Sequence, residues 1–290
     1  MDYIESYKRE YLNQTSQVKS FAQSWDIWLP IILKNLTENP SGKDIFDLGD
    51  NLGEIFKSRR VKGRSQGTLS GAGYAWECLV TWYLNFIFWD LPVMVIRANK
   101  KYTPKILSKC ITVTIANNRM NTESDILIFS VPNPDSIIDK NLKGFNKHLT
   151  KSLSEVDLTN LQCKTNWKDN SQIPMLWDLI YNSESKLPYV SVGVEGVSPN
   201  SVNNFKYAFA TVPTNGEDKM KPTTAAVLRV KNLTGGNYWG QESESDIASS
   251  IKELAGRNYP SFFEGGVVKH LDSQLDNNPD MLHDFLSLKW

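Results

Sequence analysis

The first apolar rhythm along the chain is helical. Tyr3, Tyr7 and Tyr11 recur every fourth residue, and Trp25, Trp28, Ile32 and Leu36 keep a similar spacing, as a single buried helix face requires. Residues 1–56 therefore read as a helical N-terminal region. Pro30 must kink or begin a helix there, and Pro40-Ser41-Gly42 marks a break. The rhythm stops at residues 57–73, KSRRVKGRSQGTLSGAG, with five basic residues, four Gly and no acid. Such a stretch reads as a loop or arm. Helical spacing returns over residues 74–88, where Leu79, Tyr83 and Phe86 share a face and Trp76, Val80 and Ile87 widen it. Asp90-Leu91-Pro92 ends that helix.

Beyond residue 92 the pattern shortens. Residues 93–97 form a brief apolar run, residues 110–116 (CITVTIA) alternate, and residues 123–131 contain ILIFSV, three strand signatures. Residues 135–155 are polar and amphipathic, partly helical. A strand follows at 158–164, then a helix at 171–181 with Ile173, Leu176, Trp177 and Ile180 on one face. Residues 189–194, 205–212 and 225–230 read as further strands, 231–245 as a Gly-rich polar stretch, 247–254 as a short helix and 267–290 as an acidic helical tail. The order over 74–194 (helix, strand, strand, strand, helix, strand) implies an α/β fold with a mixed central sheet flanked by helices. The expected division is a helical region at 1–56 for dimer or DNA contact and a basic arm at 57–73. A core at 74–255 follows, with a tail at 256–290 packed on the same domain.

Composition adds exclusions. The 290 residues are 40% apolar and 22% charged, with nine Trp, so intrinsic disorder is excluded for the bulk of the chain. Residues 76–96 resemble a membrane span, but Glu77, Asn85, Asp90 and Pro92 interrupt them. Carboxylates at membrane depth are costly, and no membrane partner is expected. Cys78, Cys110 and Cys163 have neither disulfide-framework nor zinc spacing. With no signal-like pattern at Met1-Asp2-Tyr3-Ile4-Glu5, they suggest a reducing compartment. The 32 basic and 32 acidic residues cancel, so any nucleic-acid partner needs segregated charge.

Four polar residues interrupt apolar patterns. Glu77 sits in the middle of the aromatic helix, Asp125 begins the ILIFSV strand, and Gln162 and Lys164 close the strand LTNLQCK. Gln162 and Lys164 share a face because strand side chains alternate. If the two strands are neighbours, Asp125 and Lys164 meet at one sheet edge. A carboxylate beside a Lys suits phosphodiester hydrolysis. Carboxylates are hard ligands for Mg²⁺, the metal activates water, and Lys stabilises charge on the phosphate. The main-chain carbonyl of Cys163 is a further candidate ligand. The same residues also read as a strand-end Asp capping a loop, a solvated Lys, and a Glu77 in a structural salt bridge with Arg97.

The segments GAGYAWECLVTWYLN, NTESDILIFSV, LQCKTNWKDNSQIPMLWDLIY and VPTNGEDKMKPTTAAVLRVKNLTGGNYWG resemble type II restriction endonucleases of the PD-(D/E)XK nuclease superfamily. The resemblance spans roughly residues 65–255. It implies a restriction-endonuclease-like core, Mg²⁺, double-stranded DNA as substrate, a homodimer and a prokaryotic cytoplasm. By it, Asp125 is the motif Asp, Lys164 the motif Lys and Glu77 the helix Glu. Gln162 departs from the family's Asp or Glu. It offers an amide oxygen without charge, to position metal or water, while Glu77 replaces the missing charge, with Glu123 as runner-up. An inactive DNA-binding module and a structure-specific or repair nuclease are the rival readings.

Charge clustering points the same way. Six basic residues and no acid lie between Asp90 and Glu123, and four with no acid from Lys219 to Gln241 inclusive, as phosphate contacts require. Candidate DNA contacts are Arg59, Arg60, Lys62 and Arg64 in the arm, Lys100 and Lys101 after the first strand, and Asn166 and Lys168 after Lys164. An N-cap role for Asn170 or Ser171 competes with base reading in that last run. His148, His270 and His283 have no ligand spacing.

Overall fold

A 22-residue helix organises the molecule. In the computed structural model α4 runs Gln66–Ile87, and Trp76, Leu79, Val80, Trp82, Tyr83 and Phe86 along it are wholly buried. The described residues are 2–16, 19–59, 66–120, 124–139, 141–165, 172–183, 186–212, 221, 223–238 and 250–288. Three helices precede α4: α1 Asp2–Ser16, α2 Lys19–Asn35 and α3 Gly42–Ser58. Pro30 lies inside α2. The break at residue 41 is a capping box, with Ser41 and Asp44 satisfying each other's main-chain N–H groups as helix starts demand. All three helices pack on α4. Trp25 meets Trp82 edge-on at 4.9 Å, and α3 approaches so closely that a Cβ on Gly49 would stand 2.5 Å from the Tyr83 hydroxyl.

The expected loop over 57–73 is corrected at both ends. α3 reaches Ser58 and α4 starts at Gln66, so three of the four glycines are helical. Packing against α2 and α3 overrides the poor helix propensity of Gly. Residues 60–65, with Arg60, Lys62 and Arg64, lie outside the described residues.

The fold is mixed α/β with a helical N-terminal region. The central sheet has the order β1-β4-β5-β7-β8, formed by β1 Val93–Arg97, β4 Ile126–Ser130, β5 Asp157–Lys164, β7 Asn204–Thr211 and β8 Asn237–Tyr238. β4 runs antiparallel to both β1 and β5. β5 and β7 are parallel, as are β7 and β8. The parallel step from β5 to β7 needs a crossover, and α7 Gln172–Asn182 lies within it. Lys8 at 0% exposure donates to the carbonyls of Phe88 and Leu91 at the end of α4 and to Glu5, satisfying groups the helix leaves over.

Two faces of the sheet are told apart by neighbours on β5. Asn160 donates to the Tyr181 hydroxyl of α7, whereas the Tyr259 hydroxyl donates to the Ile128 carbonyl and stands 3.2 Å from the Thr159 hydroxyl. Adjacent strand residues point oppositely, so α7 and the Tyr259 segment cover opposite faces. Residues 158–163 of β5 are buried, as an interior strand covered on both faces must be.

Two expected strands are corrected. Residues 110–116 divide into the end of α5 Lys105–Ile111 and the three-residue β2 Val113–Ile115. The buried set Ile106, Leu107, Cys110 and Ile111 follows helical spacing, and this wins over the local alternation. β2 pairs with β3 Asn118–Met120 and β6 Val190–Val192 in a separate small sheet. Residues 225–230 form the helix α8 Ala225–Val230, with Val227 and Val230 turned inward three residues apart. The remaining helices are α6 Leu142–Lys151, α9 Ile251–Asn258, α10 Val267–Asn277 and α11 Met281–Leu286. The tail packs back: α10 lies on α3, and the Trp82 indole donates to Phe285 of α11 at 2.8 Å. No helix among the described residues is long and apolar enough to cross a membrane.

Candidate functional site

The site is built where β4 begins and β5 ends. Ile126 pairs with Leu161, so Asp125, one residue earlier, stands beside the last residues of β5. Its Oδ2 accepts the main-chain N–H of Cys163 at 2.6 Å. β1 contributes Arg97, whose backbone faces Ile126, and α4 contributes Glu77. Oε2 of Glu77 accepts from Arg97 Nε at 2.7 Å and lies 2.5 Å from its Nη2. The guanidinium carbon sits 3.8 Å from the centroid of the Tyr74 ring, a stacked cation–π arrangement.

Burial pushes the Glu77 carboxyl up from its usual range, opposed by Arg97 and by the Lys164 ammonium. Cys163 registers all four charges. Burial holds its thiol well above the ordinary value, Asp125 and Glu77 add to that, and Lys164 and Arg97 oppose it. Asp125 at the Cys163 main-chain N–H, Lys164 next to Cys163 at the end of β5, and the Glu77–Arg97 pair set two acids and two bases at this end of the sheet. The alternative sequence reading of Glu77, a salt bridge with Arg97, is what the side chains form.

Gln162 precedes Cys163 in β5. It is 0% exposed, and its Oε1 accepts the Tyr207 hydroxyl at 2.6 Å. Through this bond its amide links β5 to β7. Tyr207 went unread in the sequence because strand pairing across 45 positions leaves no local signal. Glu123, Asn166 and Lys168 lie outside the described residues.

In kind, the remaining donors fit a hard divalent cation, since the Asp125 and Glu77 carboxylates and the Cys163 carbonyl are all oxygens. Among the described residues no group of three or more His, Cys, Asp and Glu side chains stands ready around one point. The charge balance of the site also means that a bound cation would need added negative charge, which a phosphate brings.

Of the candidate DNA contacts, Arg59, Lys100 and Lys101 lie among the described residues. Arg59 caps α3 and is half-buried. Lys100 and Lys101 are exposed in the loop after β1. Lys100 lines a cavity of about 190 Å³ with Asn99, Thr103 and Ser124, next to Asp125 in sequence. Lys101 donates to Gln14. The acid-free run between Asp90 and Glu123 does not stay acid-free in space, because Lys109 and Arg119 both pair with Glu195. No protein-family model matches the chain, and no curated protein matches it in sequence.

Proposed function

We propose that the chain is a site-specific endodeoxyribonuclease of the type II restriction class. In this reading it hydrolyses double-stranded DNA with Mg²⁺ as a homodimer in a prokaryotic cytoplasm. The observation that supports the reading is Asp125 hydrogen-bonded to Cys163 beside Lys164 at the end of β5, with the Glu77–Arg97 ion pair joining α4 to β1 next to it. Bound Mg²⁺, held by Asp125, Glu77 and the Cys163 carbonyl, would polarise the scissile phosphate and lower the pKa of a water molecule. Lys164 supplies positive charge for the oxygens that gain charge as the bond breaks. Arg97 favours the ionised form of Glu77 against the effect of burial. The dimer rests on the symmetry of duplex DNA, where two strands call for two sites related by a two-fold axis.

The test is a digest of phage-length DNA with Mg²⁺, comparing wild type with Lys164→Ala and Asp125→Asn. Discrete bands from wild type are expected, with a loss of roughly 10²-fold or more in rate for each variant, as for other transition-state donors. Wild-type activity in either variant sinks the assignment, and a smear would favour a structure-specific or repair nuclease. A second reading, a DNA-binding module without cleavage, is favoured by Arg97 holding Glu77 and by the uncharged, buried Gln162. Specific footprinting with intact DNA in Mg²⁺ and Mn²⁺ would select it.

A further inference from the structure

Beside the candidate site, α1, the loop after β1 and the start of α6 enclose a cavity of about 390 Å³. It is lined by Tyr3, Tyr7, Tyr11 and Tyr102, together with Glu10, Gln14 and Lys101. The rings come in two groups: Tyr3 and Tyr7 at 6.2 Å, and Tyr11 and Tyr102 edge-on at 5.1 Å. The Tyr3 hydroxyl is buried and hydrogen-bonds to nothing. The Tyr7 hydroxyl is pushed up to about 12 by burial, with Tyr3, Glu10 and Tyr102 adding to the effect. The polar lining is a hydrogen-bonded chain, in which Lys101 Nζ donates to Gln14 and Gln14 donates to Glu10, each at 2.8 Å.

We infer that this cavity is a subsite for one unstacked nucleobase bearing an exocyclic amino group, a proposal that rests on the nuclease reading. Aromatic faces stack on any base and make sequence-tolerant platforms for unpaired nucleotides. A carboxylate in the lining accepts from the amino group of cytosine and finds no such donor on the thymine ring's corresponding position, which is a carbonyl. Lys101 stands at the mouth, with its amino group 4.9 Å from the Tyr102 ring centroid, where a phosphate attached to the base would lie. The cavity adjoins the candidate centre through a single ring, since the Tyr11 hydroxyl accepts the Arg97 N–H at 2.6 Å. A nucleotide drawn out of the stack here would lie next to the strand that carries Arg97 to Glu77.

The experiment is calorimetric titration of the full chain, without divalent metal, with dCMP and with dTMP, on wild type, Glu10→Gln and Tyr7→Ala. Glu10 is exposed, so Glu10→Gln keeps the fold, and thermal melts check Tyr7→Ala. Wild type is expected to bind dCMP roughly ten-fold more tightly than dTMP, the size of one good base contact. Glu10→Gln should erase that preference, and Tyr7→Ala should weaken both ligands. Equal binding of the two nucleotides by wild type, an unchanged preference in Glu10→Gln, or no binding at millimolar nucleotide would overturn the proposal. The nuclease reading fails separately: a protein that prefers dCMP yet leaves DNA intact keeps the subsite and loses the cleavage, whereas one that cuts DNA and ignores dCMP does the reverse.

Discussion

At the residue scale, the candidate centre is a balance of charges at low exposure. The side chains of Glu77 and Arg97 are 15% and 20% exposed. Removing one partner leaves the other charge without compensation, which typically costs 3–5 kcal/mol when buried. Arg97→Gln should therefore lower stability by about 3 kcal/mol, read from denaturant midpoints, while Arg97→Lys should lose less. Indifference to Arg97→Gln would show that Glu77 is protonated in the folded chain. A second group sets a pH dependence. His270 is drawn below its ordinary pKa by burial, and its Nε2 stands 2.8 Å from the Trp89 carbonyl. The folded state then binds fewer protons than the unfolded one just below the unfolded value of about 6.5, so stability falls as pH drops through that range. His270→Gln should flatten the slope of stability between about pH 7 and 5. An unaltered slope would assign the acid sensitivity elsewhere.

At the element scale, Asn85 shows how a helix completes an edge strand. β1 has a neighbour on one side only in the central sheet. On α4, Asn85 donates to the Val95 carbonyl at 2.8 Å and accepts the Val95 N–H at 3.2 Å, taking the place of a missing strand. Both main-chain groups would be buried and unpaired in Asn85→Leu, at a cost of about 1–3 kcal/mol each. Hydrogen exchange at Val95 should rise in that variant; protection equal to wild type would mean that another group takes over. Asn85, one of the four residues that interrupt the apolar run 76–96, thus helps tie the helix to the sheet.

At the scale of the whole molecule, the N-terminal helices and the tail meet around α4. Trp82 touches Trp25 of α2, stands beside Phe86 and donates to Phe285 of α11. Trp82→Ala would remove a fully buried indole and should cost about 3–5 kcal/mol. It should also free the tail, visible as proteolysis near residue 280 under conditions where wild type resists. Loss of stability without tail release would show that α10, held to α3, anchors the C-terminus alone.

Local periodicity by itself determined the helices around Trp25, Trp28 and Leu79, the ILIFSV and LTNLQCK strands and the α/β class, because each depends on the spacing of apolar side chains along one element. It also marked Glu77, Asp125, Gln162 and Lys164, since polar residues within apolar patterns need a reason. It misread CITVTIA and AAVLRV, where short β-branched runs fit either period and only packing decides. Tertiary structure decided between the two readings of Glu77 in favour of its pairing with Arg97, and it alone decided that Tyr207 takes Gln162 and that Tyr3, Tyr7 and Tyr102 share a cavity with Glu10. Each of these joins residues from different elements, and the geometry that brings them together is set by the register of the sheet and the docking of α1 and α4, which no local stretch of sequence contains.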